Sequence, residues 1–349
     1  MGVGLLFWAV AEPLTHYKQP PPSIDAETQM AAEVGLLYSV FHWGIHPWAV
    51  YATVALGLAI VKFKKELPGL ISSVFYPLIG NRIYGGLGKT IDIIAIIGTT
   101  IGVATTLGLS TMQLAGGFSE VFDLNNSIVI QLIIISVITV IFITSVVTGI
   151  NKGMLYLSIC SLSLAGLIMI VIFFVGPTQF LSEYIVSMTG EYLSSFPSLT
   201  FETMPFADNE WMGDWTFFYW AWLISWSPFV GTFIARVSKG RTLQEFIIGV
   251  VFVPAFASLI WIVIFGGTGI HFQHVEGINL TENIISEPEG SLFLMLDQLP
   301  ISLILSVTTL FIITLFFVTS ANSATYVLGV FSSGGDFNPK NRVLVTWGY

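Results

Sequence analysis

The stretch DWTFFYWAWLISWSPF, residues 214–229, carries the strongest structural signal in this chain. It opens with one acidic residue, and the fifteen residues that follow are uncharged. At 100° per residue, six of its rings lie within about 100° of one another on one side of a helix. These six are Trp215, Phe218, Tyr219, Trp222, Trp226 and Phe229, whereas Trp220 points elsewhere. The pattern predicts a membrane-spanning helix with one aromatic stripe.

The composition of the whole chain agrees with that prediction. Of its 349 residues, 54% are hydrophobic and only 9% are charged, whereas soluble domains carry about 25% charged residues. Its apolar runs of about 20 residues are long enough to cross a bilayer as helices. Acidic residues outnumber basic ones by 21 to 12, which argues against a nucleic-acid partner. We predict an all-α integral membrane protein whose surroundings are the lipid bilayer.

The apolar runs define the predicted spans. We expect complete spans at 34–61, 91–117, 127–149, 154–176, 215–235, 246–270 and 300–331, with half-spans at 1–11 and 343–349. The half-spans suggest a fragment cut inside a span at both ends. If successive spans alternate in direction, the loops at 62–90, 150–153, 236–245 and 332–342 share one face and hold eleven of the twelve Lys and Arg residues. That face is predicted to be cytoplasmic.

Two segments outside the spans are predicted to be external. Residues 12–33 contain a stiff QPPP connector. Residues 178–196 are too polar to span, and they are compatible with an amphipathic helix at the outer interface or with a covered loop.

The apolar runs contain almost no ionisable residues. Asp92 and Glu120 sit at the ends of one span rather than in its middle. A carboxylate proton relay or a voltage sensor is therefore not expected. The face of a tryptophan ring attracts a quaternary ammonium by about 0.5–2 kcal/mol without any carboxylate. The stripe is therefore interpreted as a binding surface for such a cation. An interfacial aromatic belt is the alternative interpretation. It suits Trp215 near the membrane edge but not Trp222 and Trp226, which lie deeper.

A second aromatic group, FHWGIHPWAVY, occupies residues 41–51. Trp48 and Tyr51 share one helix face, and Pro47 is expected to kink the helix. His42 and His46 are spaced i, i+4, which leaves a metal site as an alternative. Zinc normally takes a third protein ligand and, in enzymes, a carboxylate base. Since neither is expected nearby, packed or hydrogen-bonded histidines are favoured.

Helix breakers and hydroxyls form a third group. Gly2 and Gly4 open the first half-span, Ser227-Pro228 is expected to interrupt the aromatic span, and TSANS at 319–323 lies within the last full span. Interrupted helices release carbonyl oxygens which, together with hydroxyls, suit Na⁺. Close helix packing by small residues is the alternative.

These motifs together resemble the betaine/choline/carnitine transporter family. The similarity covers essentially the whole chain, from MGVG at 1–4 through HPW at 46–48 and the run at 215–231 to FFVTS at 316–320. It implies a five-plus-five inverted-repeat transporter fold, truncated at both ends, that lacks the first two and last two spans. On that basis residues 1–176 form the first repeat with a truncated first helix, 177–209 an external amphipathic connector, and 210–349 part of the second repeat.

The resemblance also implies site residues. The substrate-binding rings would be Trp43, Trp48, Tyr51, Trp222 and Trp226. One sodium site would use Thr319, Ser320, the Phe316 carbonyl and backbone oxygens near Met1, and a second would use Thr99 and Phe229. Two positions depart from the family pattern: Leu223 replaces an expected cage tryptophan, and Val103 replaces an expected threonine.

The function expected from these features is a sodium-coupled symporter of the bacterial inner membrane. It would import a zwitterionic or quaternary-ammonium osmolyte of the glycine-betaine type by alternating access, as a homotrimer. It would need no cofactor apart from Na⁺ as coupling ion. The alternatives are a sodium-independent substrate:product exchanger, a passive channel, and a membrane-embedded metalloenzyme using His42 and His46.

Overall fold

The computed structural model of the protein describes residues 2–148, 151–206, 210–336 and 338–348. All regular secondary structure in these ranges is helical. The longer helices are α1 (Gly2–Lys18), α2 (Gln29–Trp43), α3 (Ile45–Ala59), α4 (Gly86–Phe122), α5 (Ile128–Thr148), α6 (Asn151–Val175), α7 (Thr178–Phe201), α8 (Phe218–Val237), α9 (Val253–Ile270), α10 (Ser302–Ser332) and α11 (Asn341–Gly348).

Shorter helical segments connect or extend these helices. The α-helical and 3₁₀ segments are Ile71–Val74, Tyr76–Ile79, Gly80–Tyr84, Glu210–Met212, Leu243–Ile247, Pro288–Gly290 and Ser291–Asp297. Wider π-helical turns occupy Ile60–Lys64, Gly213–Phe217, Ile248–Phe252 and His271–Val275. These wider turns lie at the ends of α3, α8 and α9, and they lengthen the membrane segments without breaking them.

Seven helical segments of the described chain are long and apolar enough to cross a membrane, and each overlaps one predicted span. They are Gln29–Lys64, Gly86–Phe122, Ile128–Ser145, Leu155–Val175, Glu210–Val237, Leu243–Val275 and Ser302–Ser332. The prediction of an all-α membrane protein is therefore confirmed.

The first helix is longer than predicted. Helix α1 runs through Pro13 to Lys18, so the predicted start of the external loop at residue 12 is wrong. Proline deprives only the carbonyl four residues earlier, that of Ala9, of its helical hydrogen bond. That carbonyl lies against Gly266 of α9, where a Cβ would approach it to 2.5 Å. Close packing of two helices therefore keeps α1 helical past the proline.

The bend expected at Pro47 lies at Gly44 instead. Gly44 separates α2 from α3 with φ −84° and ψ −132°, and Pro47 falls in the first turn of α3, where its missing N–H costs nothing. The Tyr192 hydroxyl of α7 accepts the Ile45 N–H at 3.0 Å. A Cβ on Gly44 would lie 2.5 Å from that hydroxyl oxygen. Burial raises the pKa of Tyr192 to about 12, so the hydroxyl stays neutral.

The predicted interruption at Ser227-Pro228 is also wrong, because α8 is continuous through both residues. Pro228 cannot pair with the Ile224 carbonyl, but the Ser227 hydroxyl donates to that carbonyl at 2.7 Å. A serine thus supplies the missing donor, as hydroxyls do in membrane helices. Helix α10 is likewise continuous through residues 319–323, so neither helix is discontinuous at its hydroxyl-rich segment.

The segment predicted as an amphipathic helix or a covered loop is helix α7. Its buried residues Leu181, Met188, Tyr192 and Leu199 follow one face. That face packs on α2 and α9. In the centre of the bundle, α8 packs most extensively on α3 and also on α4, while α1 packs on α2, α9 and α4. The elements that carry the predicted site residues therefore meet in one place.

Candidate functional site

Four of the six rings of the aromatic stripe lie on the buried face of α8, whereas Phe218 is exposed and Trp215, which precedes α8, is half-buried. Tyr219, Trp222, Trp226 and Phe229 are all buried, at 0 to 7% exposure. Trp220 lies on another face, with its ring 5.4 Å from that of His46. The buried residues follow the 3.6-residue period that the sequence indicates. This placement excludes a lipid-facing belt for Trp222 and Trp226.

Helices α4 and α8 run antiparallel along this stripe. The Trp222 indole N–H donates to the Thr106 hydroxyl at 3.2 Å, and a Cβ on Gly102 would lie 2.6 Å from Trp226 Cδ1. The residue numbers of the contacts decrease along α4 as they increase along α8. Continuing this register places Thr99 opposite Phe229. The Thr99 hydroxyl is fully buried and makes no hydrogen bond within the described chain. It is therefore available to a ligand.

Trp43 of α2 lies against the same stripe. Its ring meets that of Trp222 edge to face, with centroids 5.9 Å apart. Gly4 of α1 lies beside both rings, and a Cβ there would approach Trp43 Cη2 to 2.5 Å and Trp222 Cη2 to 3.2 Å. The glycine run of α1 thus lets its backbone reach the aromatic centre.

The remaining predicted rings belong to the same apolar core. Trp48 and Tyr51 on α3 are edge to face at 6.0 Å, and Trp226 and Phe229 lie 5.2 Å apart. Tyr51 and Trp226 are buried, and Trp48 is half-buried. The indole N–H groups of Trp48 and Trp226 are buried without a hydrogen-bond acceptor in the described chain. Each is a donor that a polar ligand could satisfy.

The residues predicted for the first sodium site lie where α1 meets α10. A Cβ on Gly2 would lie 3.0 Å from the Phe316 ring, so the start of α1 reaches the middle of α10. The Thr319 hydroxyl donates to the Leu315 carbonyl at 2.8 Å and lies 3.2 Å from the Phe316 carbonyl. Ser320, the next residue, is half-buried. Met1 lies outside the described residues.

The two positions that depart from the family pattern border separate cavities. Leu223 lines a lateral cleft of about 400 Å³. Its walls also include Ala49, Val50 and Trp220, but none of the five predicted substrate rings. Val103 lines another cavity, of about 260 Å³, together with Phe317. Leu223 and Val103 are apolar, so neither offers a hydrogen-bonding group to the cavity that it lines.

Sequence reasoning missed a carboxylate in the interior. Glu12 is fully buried, although the sequence predicted that it begins an external loop. Its Oε1 lies 2.6 Å from His42 Nδ1 and 3.4 Å from His16 Nε2. Its Oε2 accepts from the Tyr219 hydroxyl at 2.6 Å and from the Trp43 indole at 3.2 Å. The i, i+4 spacing of Glu12 and His16 on one helix face was the available signal.

The two histidines of the alternative metal site have different surroundings. His42 contacts Glu12 and, through Nε2, the Thr216 hydroxyl at 3.0 Å. His46 Nε2 instead lies 3.1 Å from the Thr200 hydroxyl of α7. Among the described residues, the group able to hold a metal consists of Glu12, His16 and His42. The expectation that no carboxylate or third ligand lies near His42 is therefore wrong, and His46 is not part of the group.

A bundle of apolar helices around buried rings, hydroxyls and a carboxylate defines a multi-span membrane protein with a partly polar interior. A family model described as betaine/carnitine/choline family transporter matches residues 1–349. The chain belongs to this family of transporters, and it is a multi-pass membrane protein.

Several relatives show how close the similarity is. The chain is 43% identical to the glycine betaine transporter OpuD of Bacillus subtilis, over all of this chain and 68% of the relative. It is 40% identical to an ectoine/hydroxyectoine transporter of Virgibacillus pantothenticus, over 99% of this chain and 69% of the relative. An osmo-dependent choline transporter, BetT2 of Acinetobacter baylyi, is 40% identical over 95% of this chain and 49% of its own length.

Proposed function

We propose that this protein is a sodium-coupled symporter that imports a zwitterionic or quaternary-ammonium osmolyte across the bacterial inner membrane by alternating access. The observation that carries the proposal is the interface of α4 and α8. There the buried rings of Trp222 and Trp226 lie along a hydroxyl-bearing face that ends at the unpartnered Thr99. The relatives named for glycine betaine and ectoine support a solute that carries both charges.

In this proposal the rings bind the cationic end of the solute. Trp48, Tyr51, Trp222 and Trp226 would each contribute about 0.5–2 kcal/mol where a ring face is well placed. Trp43 would complete the enclosure from α2. The carboxylate end would face the Thr99 hydroxyl or nearby amide groups, which can donate hydrogen bonds to it.

Sodium binding would use oxygen ligands at two places. Thr319 donates its hydroxyl hydrogen within α10, so the lone pairs of that oxygen are left for a cation. Ser320, the Phe316 carbonyl and backbone oxygens near Met1 would complete this first site. Thr99 and Phe229 would form the second site, where Val103 supplies no hydroxyl. Hard oxygen ligands without a fixed negative charge suit a monovalent ion.

The direct test is uptake of radiolabelled glycine betaine by proteoliposomes that contain the protein. We expect uptake with an inward Na⁺ gradient and little uptake when K⁺ replaces Na⁺. Equal uptake in both conditions would overturn sodium coupling. If the sodium-independent uptake depended on solute preloaded inside the vesicles, the sodium-independent exchanger would replace the symporter as the function. Uptake that shows no counterflow would indicate a channel.

A matched pair of substitutions tests the second sodium site. Thr99→Val removes a buried hydroxyl that has no hydrogen-bond partner among the described residues, whereas Thr100→Val removes one that donates to the Ile96 carbonyl of its own helix at 2.8 Å. We expect the first variant to raise the Na⁺ concentration for half-maximal uptake by about tenfold, because the loss of one good ligand costs about 1.4 kcal/mol. The second variant is expected to leave it within twofold. An equal response of both variants would remove Thr99 from the site.

The solute and the assembly are tested separately. Glycine betaine, choline, carnitine, ectoine and proline would be compared for their ability to compete with uptake. Since Leu223 replaces a tryptophan of the family pattern, Leu223→Trp is expected to shift the preference among these solutes. A homotrimer would be checked by the mass of the purified protein in detergent.

A further inference from the structure

Three side chains of the metal-ligating type converge in the middle of the bundle. Glu12 and His16 project from α1 and His42 from α2, and all three are fully buried. One ligand atom from each lies within 4.8 Å of the others. The proposed transport steps assign no role to this group.

The surrounding hydrogen bonds hold the group in a defined orientation. Glu12 Oε2 is occupied by the Tyr219 hydroxyl and the Trp43 indole, so Oε1 is the oxygen that faces both imidazoles. His42 Nε2 lies 3.0 Å from the Thr216 hydroxyl, which can accept its hydrogen and leave Nδ1 as a ligand. Partners of this kind fix the tautomer and the ring plane of metal-binding histidines.

His16 is the observation that points to a ligand. Its Nδ1 is buried and makes no hydrogen bond within the described chain, and its buried Nε2 has the Glu12 carboxylate as its polar neighbour. A buried polar group without a partner is costly, and such groups are rare in folded proteins. The Nε2 atom lies 3.4 Å from Glu12 Oε1, close to the separation of about 3.3 Å between two ligands of a tetrahedral zinc ion.

We propose that Glu12, His16 and His42 bind a divalent transition-metal ion of the zinc type. Two imidazoles and one carboxylate form a donor set that zinc prefers. The Glu12 Oε1 and His42 Nδ1 atoms, 2.6 Å apart, would separate by about 0.7 Å to reach tetrahedral spacing. The hydrogen that now lies between them would leave as the ion binds, because ligands must be deprotonated.

A cavity lies close to this group of side chains. The cavity, of about 330 Å³, is lined by Thr15, Asp214 and Trp215, among others. The Trp215 ring lies 4.4 Å from the His16 ring, so one side chain separates the cavity from the group. The Asp214 carboxylate at this cavity would raise the local concentration of cations.

A bound ion would join helices that transport requires to move. Glu12 and His16 lie on α1 and His42 on α2, while Thr216 and Tyr219 extend the contacts to the segment that carries the aromatic stripe. We expect the ion to slow solute uptake. This consequence rests on the proposed function, but metal binding itself does not.

The test is metal binding by the purified protein, followed with Co²⁺ absorption and with Zn²⁺ calorimetry. We expect one Zn²⁺ per chain and visible Co²⁺ bands typical of four-coordinate geometry. His16→Leu should weaken Zn²⁺ binding at least 100-fold and remove those bands. His46→Leu, which removes a histidine outside the group, should leave binding within twofold.

Two further measurements keep the outcome unambiguous. The melting temperature of His16→Leu should stay close to that of the unsubstituted protein, because Nδ1 has no hydrogen-bond partner in the described chain and Nε2 makes only a long contact of 3.4 Å with Glu12. If it falls sharply, His42→Gln replaces it as the test of the site. Absence of stoichiometric binding, or equal loss in His16→Leu and His46→Leu, would overturn the proposal. Metal binding without glycine betaine uptake would leave the site standing and reject only the transport function.

Discussion

Two neighbouring regions of the interior differ in charge. One is lined by uncharged aromatic rings, and the other contains a buried carboxylate. Along α8, no acidic side chain of the described chain forms a hydrogen bond with Trp222 or Trp226; the Trp222 indole donates to Thr106, and the Trp226 indole has no acceptor in that part of the chain. One turn earlier, Tyr219 donates to the buried carboxylate of Glu12. Tyr219 also stacks on His42, with ring centroids 4.6 Å apart. Tyr219 and Trp43 both donate to Glu12 and thus connect the uncharged aromatic surface to a buried carboxylate with four polar neighbours.

Because of this difference in charge, the two regions are suited to different kinds of cation. The aromatic surface attracts a large, weakly hydrated cation through ring quadrupoles, with no fixed charge to neutralise. In the proposed metal site, an oxygen of Glu12 and one nitrogen each from His16 and His42 would bind a small, strongly charged ion directly. The two regions are therefore expected to fail differently when their key residues are replaced.

The largest effect is expected for Glu12→Leu. The substitution leaves the buried donors of Tyr219 and His42 without their acceptor, at a cost of about 1–3 kcal/mol for each unpaired group, while the Trp43 indole keeps the Tyr219 hydroxyl as an acceptor at 3.2 Å. The free energy of unfolding should fall by about 2–6 kcal/mol. Thermal unfolding in detergent measures this loss.

Glu27→Leu is the matched control for that substitution. Glu27 pairs with Lys18 at the surface, and exposed pairs contribute about 0–1 kcal/mol. A melting temperature lowered equally by both substitutions would show that the buried carboxylate does not stabilise the helices around it.

Sequence patterns located one of these regions and missed the other, for a physical reason. The stripe of α8 follows the helical period over sixteen residues, so its buried face could be read directly. Glu12 precedes a proline and a polar segment, and these features predict a helix end rather than a buried carboxylate. The helix continues only because Gly266 of a distant helix packs against the Ala9 carbonyl, and contacts between distant segments leave no local periodicity.

The bends show the same limit. Pro47 and Pro228 are conspicuous in the sequence, yet neither breaks its helix, because one lies in a first turn and the other has Ser227 beside it. The actual break at Gly44 depends on Tyr192, nearly 150 residues further along the chain. The apolar runs therefore predicted the seven spans, whereas the prolines predicted the positions of the bends wrongly.

An intermediate effect is expected for Trp226→Leu, which removes one ring from the uncharged surface. At about 0.5–2 kcal/mol per ring, the apparent KM for glycine betaine should rise by about 2- to 30-fold. Trp220→Leu is the control, because that ring packs against Phe41 and His46 instead. Uptake kinetics in proteoliposomes would separate the two. An unchanged KM in Trp226→Leu would assign that ring to packing.

The smallest effect is expected for Thr106→Val, which keeps the shape of the side chain but removes the acceptor of the Trp222 indole. An unpaired buried N–H should cost about 1 kcal/mol, divided between a lower melting temperature and a KM raised by a few-fold. Thr105→Val is the adjacent control, since its exposed hydroxyl donates only to the Ile101 carbonyl at 3.0 Å. If Thr106→Val changed the melting temperature alone, the hydrogen bond would stabilise the contact of α4 with α8 without orienting Trp222 for a solute. A change in KM alone would show that the aromatic surface depends on a hydroxyl of the facing helix to hold its ring in place.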